Sequence, residues 1–345
     1  MATENSTRQK FQIIAATIAH DNNLLNITQL CKIAGVSHSG YYNWCRTTIK
    51  NALIRDEQDK KDFELILKAY QKRGYKKGRR SIHMTLLHSG ILMNTKKIRR
   101  LMAKFNLSCP IRKPNPYKKM ARATKENATK SNLVKRNFES YGPRIVLLTD
   151  ITYLFYNGKK AYLSVVKDAF TKEILSYVLS QSLEIDFVLE TIRILVKKHG
   201  ISLCTDTVIH SDQGVHYTSI KFQELVANKQ LRQSMSRRGN CWDNAPQESF
   251  FGYMKDELDV SKCQSYEQLL TAVNDYMDYY NKERYQWQLA KLSPNQYYQF
   301  VKTGNYPLER FLETPELPVW HSVGEVETST QADKPLQNEY HNPSG

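Results

Sequence analysis

No two of the six cysteines (Cys31, Cys45, Cys109, Cys204, Cys241 and Cys263) stand at C-x-x-C spacing along the 345 residues. Neither a zinc cluster nor a disulfide frame has the spacing it needs, and reduced thiols are expected. No apolar run approaches the roughly 18 residues of a membrane span. The N-terminal MATENSTRQKF lacks the basic-then-apolar order of a secretory signal, so a cytoplasmic protein is expected. Acid is scarce where base is dense. Residues 57–137 hold 23 Lys and Arg against 5 Asp and Glu, whereas residues 138–312 hold 20 of each. Nearly all of the net charge of +16 therefore sits in one block ahead of a neutral body. A solvated basic face would spread its charge; a block is the footprint of a polyanion partner.

What is present suffices for real cores. Hydrophobic residues make up 41% of the chain, and its length predicts a multidomain protein. Residues 1–56 contain a helix-turn-helix-like segment. Thr28 caps a helix with Leu30, Ile33 and Ala34 inward, Gly35-Val36-Ser37 turns, and Ser37 or Ser39 starts a second helix through Trp44. The same pattern serves small three-helix units that never touch DNA. Residues 57–107 read as a basic helical DNA-binding domain: a helix over 57–73 closed by Gly74, one over Arg79–His88, and one capped by Asn94 over Thr95–Phe105. On the last, Ile98, Leu101, Met102 and Phe105 repeat at helical spacing, which turns Lys96, Lys97, Arg99, Arg100 and Lys104 outward. With Arg79 and Arg80 these suit phosphate contact better than base reading, since Lys and Arg alone carry no sequence information. Residues 108–137, with Lys118, Lys119 and Arg122, form a basic linker without apolar periodicity. From 138 to 260 the pattern is three strands and then alternating helix and strand, an α/β core with a mixed five-stranded sheet. A tyrosine-rich helical extension (261–312) and an acidic tail expected to be disordered (313–345) complete the chain.

Three acids stand out. Asp150 lies near the end of the apolar run RIVLLTD, Asp212 just after the short run VIH, and Glu248 on a helix that follows GNCWDNAP. Converging carboxylates repel one another and raise their own pKa values unless a cation neutralises them. Oxygen donors favour Mg²⁺ or Mn²⁺, and two such ions about 4 Å apart serve phosphoryl transfer. Asn244 with Gln247 makes a capping box, Pro246 sits in the first helical turn, and Lys255 shares a helical face with Glu248. Lys255 can meet a phosphate. Trp242 suits packing better than base stacking.

The strings TDITY (149–153), HSDQG (210–214) and GNCWDNAPQESFFGYMKDEL (239–258) closely resemble the transposases of the IS-three family of bacterial insertion sequences, of the DDE transposase and retroviral integrase superfamily. SGYYNW (39–44), RRSIHMTLLHSGILMNTKKIRRLMAKFNL (79–107) and YYNKERYQWQLAKLSPNQY (279–297) extend the likeness over most of residues 28–300. The resemblance implies an RNase H-like catalytic core, with Asp150, Asp212 and Glu248 as the catalytic, metal-binding triad, two Mg²⁺ ions replaceable by Mn²⁺, and Lys255 as the basic residue seven past the Glu. It implies cutting at insertion-sequence ends and attack of the freed 3′-OH on another phosphodiester. The implied partners are double-stranded DNA (terminal inverted repeats and target), further copies of the chain on that DNA, and the protein of an upstream reading frame. The implied location is the bacterial nucleoid. The N-terminus looks like the downstream frame alone, with no heptad repeat ahead of residue 28. A structure-specific nuclease on the same fold and a DNA-binding regulator with an inactive core are the alternatives.

Overall fold

The computed structural model describes residues 6–109, 141–236 and 245–320. The expectations for Lys118, Lys119, Arg122, Trp242 and Asn244 lie outside the described residues. The chain divides into two compact units, Met1–Lys68 and Ala69–Gly345. Among the described residues no helix is long and apolar enough to cross a membrane.

In the first unit, α1 (Thr7–Ile18) and α2 (Ile27–Ala34) begin on capping boxes. Ser6 and Asn26 accept from the backbone N–H of Gln9 and Gln29, whose side chains reach back to the cap. α1 lies where no element is expected, although Ser6 and Gln9 stand at capping-box spacing. α2 starts from Asn26 rather than Thr28. Its inward stripe is therefore Ile27, Leu30, Cys31 and Ala34, which leaves Ile33 73% exposed. Phe11 and Ile14 of α1 meet Leu30, Cys31 and Tyr41 in one small core. Gly35, at φ +64°, ends α2. The helices expected to start near Ser37 and at residue 57 are one, α3 (His38–Gln71). No Gly or Pro falls between residues 41 and 71 to break it, and Arg73 and Gly74 at positive φ close it.

In the second unit, α4 (Arg79–His88) and α5 (Thr95–Lys104) occupy the expected places. Asn94 accepts from the Lys96 N–H at 2.8 Å, and Ile98, Leu101 and Met102 are buried. Phe105 falls just past the helix and is half-buried. Five strands follow: β1 (Val146–Tyr156), β2 (Lys159–Asp168), β3 (Ile174–Ser180), β4 (Val208–Ser211) and β5 (Arg232–Met235). They are ordered β3-β2-β1-β4-β5. β1, β2 and β3 pair antiparallel, and β4 and β5 join parallel. Asn157-Gly158, both at positive φ, link β1 to β2 as a two-residue hairpin.

The helices α6 (Asp186–His199), α7 (Val215–Thr218) and α8 (Ile220–Asn228) cover one face of this sheet, through Phe187, Val188, Ile192, Tyr217, Phe222 and Val226. On the other face lie α9 (Ala245–Glu257) and α10 (Tyr266–Lys282), which bury Phe250, Met254, Val273 and Tyr276 against Leu154, Leu163 and Val165. α11 (Pro294–Thr303) begins on a Ser293–Gln296 capping box with Pro294 in its first turn. The C-terminal extension also holds α4. Leu87 packs among Leu292, Phe300, Tyr306 and Leu308. His88 Nε2 lies 2.9 Å from the Lys291 carbonyl, and its ring stacks on Tyr285 at 3.7 Å.

Candidate active site

β1 and β4 set the site. Their parallel register pairs Leu148 with His210, and two residues further along each chain stand Asp150 and Asp212. Neighbouring strands run about 4.8 Å apart, so the register brings the two acids together. Asp150 is not at a strand end. β1 continues to Tyr156 against β2, with Asp150 opposite Val165; it is the pairing with β4 that stops before it. Asp212 follows β4 in the turn Asp212-Gln213-Gly214. Its Oδ1 accepts the Gly214 N–H at 2.9 Å, and a Cβ on residue 214 would stand 2.9 Å from that same oxygen. The glycine of HSDQG therefore leaves room for the carboxylate. The histidine of that string is buried, its Nδ1 2.9 Å from Ser234 Oγ, and binds β4 to β5.

Glu248 is exposed in the first turn of α9, and Lys255 is exposed two turns on. Both ends of this helix are anchored. At its start, the buried Lys167 of β2 donates to the Pro246 carbonyl and lies 5.7 Å from the Phe250 ring centroid. Burial holds the Lys167 ammonium well below the usual lysine range, and Lys172 and Arg284 push the same way. At the other end, Arg284 forks onto Glu257 at 2.8–3.0 Å, and Tyr276 donates to the same carboxylate at 3.1 Å. The strings YYNKERY and GYMKDEL are thus two halves of one buried ion pair. Neither Lys167 nor Arg284 carries a sequence signal of its role, because each acts on a residue far along the chain.

The electrostatics follow from this geometry. Half-buried Asp150 has its carboxyl pushed up to about 7, first by burial, next by Asp212 and less by Glu248. The Ile151 N–H at 2.7 Å and Lys255 oppose the rise. Partial burial lowers Lys255, and Asp150 pulls it back up. Asp150, Asp212, Glu248 and Lys255 therefore share one electrostatic neighbourhood. Among the described residues two carboxylates raise Asp150 and one lysine lowers it, and an all-oxygen donor set fits a hard divalent cation. Among the described residues no three His, Cys, Asp or Glu side chains already cluster closely enough to hold a metal ion. The match is thus in donor chemistry and charge, not in a closed shell.

The expected DNA contacts divide. Arg79, Arg80, Lys96, Arg99 and Arg100 are exposed on α4 and α5, and Lys97 is half-buried. The Arg80 guanidinium lies 5.5 Å from the Trp287 ring centroid of the C-terminal extension.

Integrase core domain models match residues 140–241 and 248–300, and an HTH-like domain model matches residues 57–115. The chain is 30% identical over 272 residues to a putative transposase, InsK, for insertion sequence element IS150 of Escherichia coli, spanning 79% of this chain and 93% of that one. It is 26% identical over 267 residues to the insertion element IS600 uncharacterized 31 kDa protein of Shigella sonnei, over 77% and 96% of the two chains. It is 26% identical over 276 residues to the transposase InsF for insertion sequence IS3A of Escherichia coli, over 79% and 93%. The chain belongs to the IS-three family of insertion-sequence transposases, DDE-class polynucleotidyl transferases that join a helix-turn-helix-like region to an RNase H-like integrase core.

Proposed function

We propose that Asp150, Asp212 and Glu248 hold two Mg²⁺ ions, with Mn²⁺ able to replace them, and that the chain cuts at the ends of its element and joins the freed 3′-OH to another phosphodiester. The observation that carries this reading is the electrostatic coupling of Asp150 to both other acids across two adjacent parallel strands and one helix. A divalent cation, when bound, supplies the charge that lets three carboxylates share one place and that polarises a phosphodiester oxygen. The residues then do three things. Asp150 gives up its proton on loading, Asp212 keeps its turn through the Gly214 N–H, and Lys255 meets a phosphate beside the acids. Water attacks in the first step and the 3′-OH in the second, so the protein contributes positioning and charge rather than a nucleophile.

Arg79, Arg80, Lys96, Lys97, Arg99 and Arg100 contact the backbone of the terminal repeat, with Lys118, Lys119 and Arg122 of the basic linker adding to the hold. Domain limits at 1–56, 57–107, 108–137, 138–260, 261–312 and 313–345 belong to the same proposal. Two element ends require two sites, so the active species is an assembly of copies on DNA. The upstream-frame protein has no support in the relatives. A duplex of the element's end, pre-cut to expose its 3′-OH and incubated with the chain and Mg²⁺, tests the reaction. Joined strand-transfer products are expected. Nicked or shortened products without any joined species would instead assign the chain to the structure-specific nucleases.

A further inference from the structure

Beside the acids, β1 and α9 enclose a cleft of about 280 Å³ lined by Tyr153, Phe155, Met254, Lys255 and Leu258. β1 alternates there: Leu154 and Tyr156 fill the core, while Tyr153 and Phe155 remain 51% and 57% exposed. The two rings meet edge to face, centroids 5.3 Å apart. Lys160 Nζ lies 5.6 Å from both ring centroids, and Lys255 Nζ lies 4.5 Å from that of Tyr153. Among the described residues no acid lines the cleft.

Two adjacent aromatic rings left in water mark a surface that something covers. The rim decides what. Two ammonium groups with no carboxylate between them complement a polyanion, and exposed rings interleaved with lysine are what proteins use to stack bases while following a phosphate backbone. An apolar peptide would gain nothing from the lysines. Tyr153 is three residues past Asp150, so along the pleat their side chains leave opposite faces of β1. The link between the cleft and the acids is Lys255, whose ammonium lies 4.5 Å from the Tyr153 ring centroid and also acts on Asp150. An occupant of the cleft therefore lies within one lysine's reach of the bond being cut.

We infer that this cleft takes an unstacked nucleobase of the strand being cut, adjacent to the scissile phosphate. The base face lies on Tyr153, Phe155 forms the wall, and Lys160 and Lys255 serve the flanking phosphates. The inference rests on the reading of Asp150, Asp212 and Glu248 as the cutting site. It also implies that the end must lose a base pair before it is cut. Removing a base from the duplex costs free energy that an already unpaired end does not need, so pre-unpaired ends should bind better.

The test uses the full chain carrying Asp212→Asn, which stops cutting, and a duplex of the element's own end with 2-aminopurine next to the cleavage point. Stacking on Tyr153 quenches the probe. Replacing Tyr153 by Ala should make the bound complex several-fold brighter and weaken binding of a pre-unpaired end about tenfold, the loss of one base–aromatic stack; Tyr153→Phe should behave like the parent. Equal emission from the parent, Tyr153→Ala and Phe155→Ala complexes overturns the inference. So does a change of oligomeric state on Tyr153→Ala with the emission unchanged, which would make the cleft a contact between copies. Cutting by the chain with Asp212 intact is measured alongside. Its absence removes the catalytic reading and the cleft with it, whereas cutting with an unresponsive probe removes the cleft alone.

Discussion

Asp168 at the end of β2 and Asp150 in β1 are acids of neighbouring strands in one sheet, and each has a second acid nearby. Around Asp168 both carboxylates are tied to one guanidinium inside the protein. Arg144 donates to Asp168 through its backbone N–H and Nη1 at 3.1 Å, and to Glu173 through Nη2 at 2.7 Å. The Phe170 N–H adds 2.9 Å to the other oxygen of Asp168, and the Tyr298 ring lies 4.3 Å from the guanidinium. Around Asp150 the described groups that act on its carboxyl are two acids and one lysine. Asp212 and Glu248 raise its pKa, and Lys255 answers only in part. One cluster joins its two acids through a shared guanidinium; in the other the neighbouring acids push the Asp150 carboxyl up, and a cation would relieve that repulsion. The difference separates the carboxylate proposed to bind metal from one held in a buried ion pair, where residue type does not.

Three changes would break or sharpen that contrast. The largest effect is on chemistry: Asp212→Asn should abolish cutting of an end duplex while its binding, followed by fluorescence anisotropy, stays close to that of the parent. Retained cutting would take Asp212 out of the mechanism.

Next in size is stability. Arg144→Met leaves Asp168 and Glu173 buried without their partner, and breaking such a pair costs about 3–5 kcal/mol. Urea unfolding should show that loss. A change below about 1 kcal/mol would mean the two clusters differ less than their geometry suggests.

The smallest effect concerns pH. A carboxyl raised above its unfolded value binds more protons in the native state than in the unfolded one, so it favours folding at low pH, and that contribution fades as pH rises from about 4 to about 7. Mg²⁺ needs the ionised form. The rise in melting temperature on adding Mg²⁺ should therefore grow with pH and level off above about 7. In Asp212→Asn, which removes the largest neighbouring charge acting on Asp150, the levelling should come at lower pH. A Mg²⁺ effect independent of pH would uncouple Asp150 from metal loading.

The elements legible in the sequence are those whose signals are local. α4 and α5 follow from periodicity and the Asn94 cap, and the five strands follow from short apolar runs bounded by turns. Errors arose where a local signal competed with a neighbour. Asn26 outranks Thr28 as a cap because its side chain reaches the Gln29 N–H, and that choice sets which face of α2 is inward. β1 runs past Asp150 because Asn157-Gly158 continues it into a hairpin with β2, so an acid that looks terminal in the sequence lies within a strand. The core's α9 and α10 are similarly readable as helices, but their attachment through Glu257 and Arg284 is not.

The sequence by itself determined the acids, the basic block ahead of them and the helix that aligns Glu248 with Lys255, because spacing, charge and helical period act within a few residues of each other. Only the tertiary structure decided that Asp150 and Asp212 meet, that Lys167 and Arg284 fix the two ends of α9, and that Tyr153 and Phe155 stay exposed beside the acids. Those facts depend on which strand pairs with which and in what register. A polar or aromatic residue gains its role there from neighbours that the chain order leaves far away.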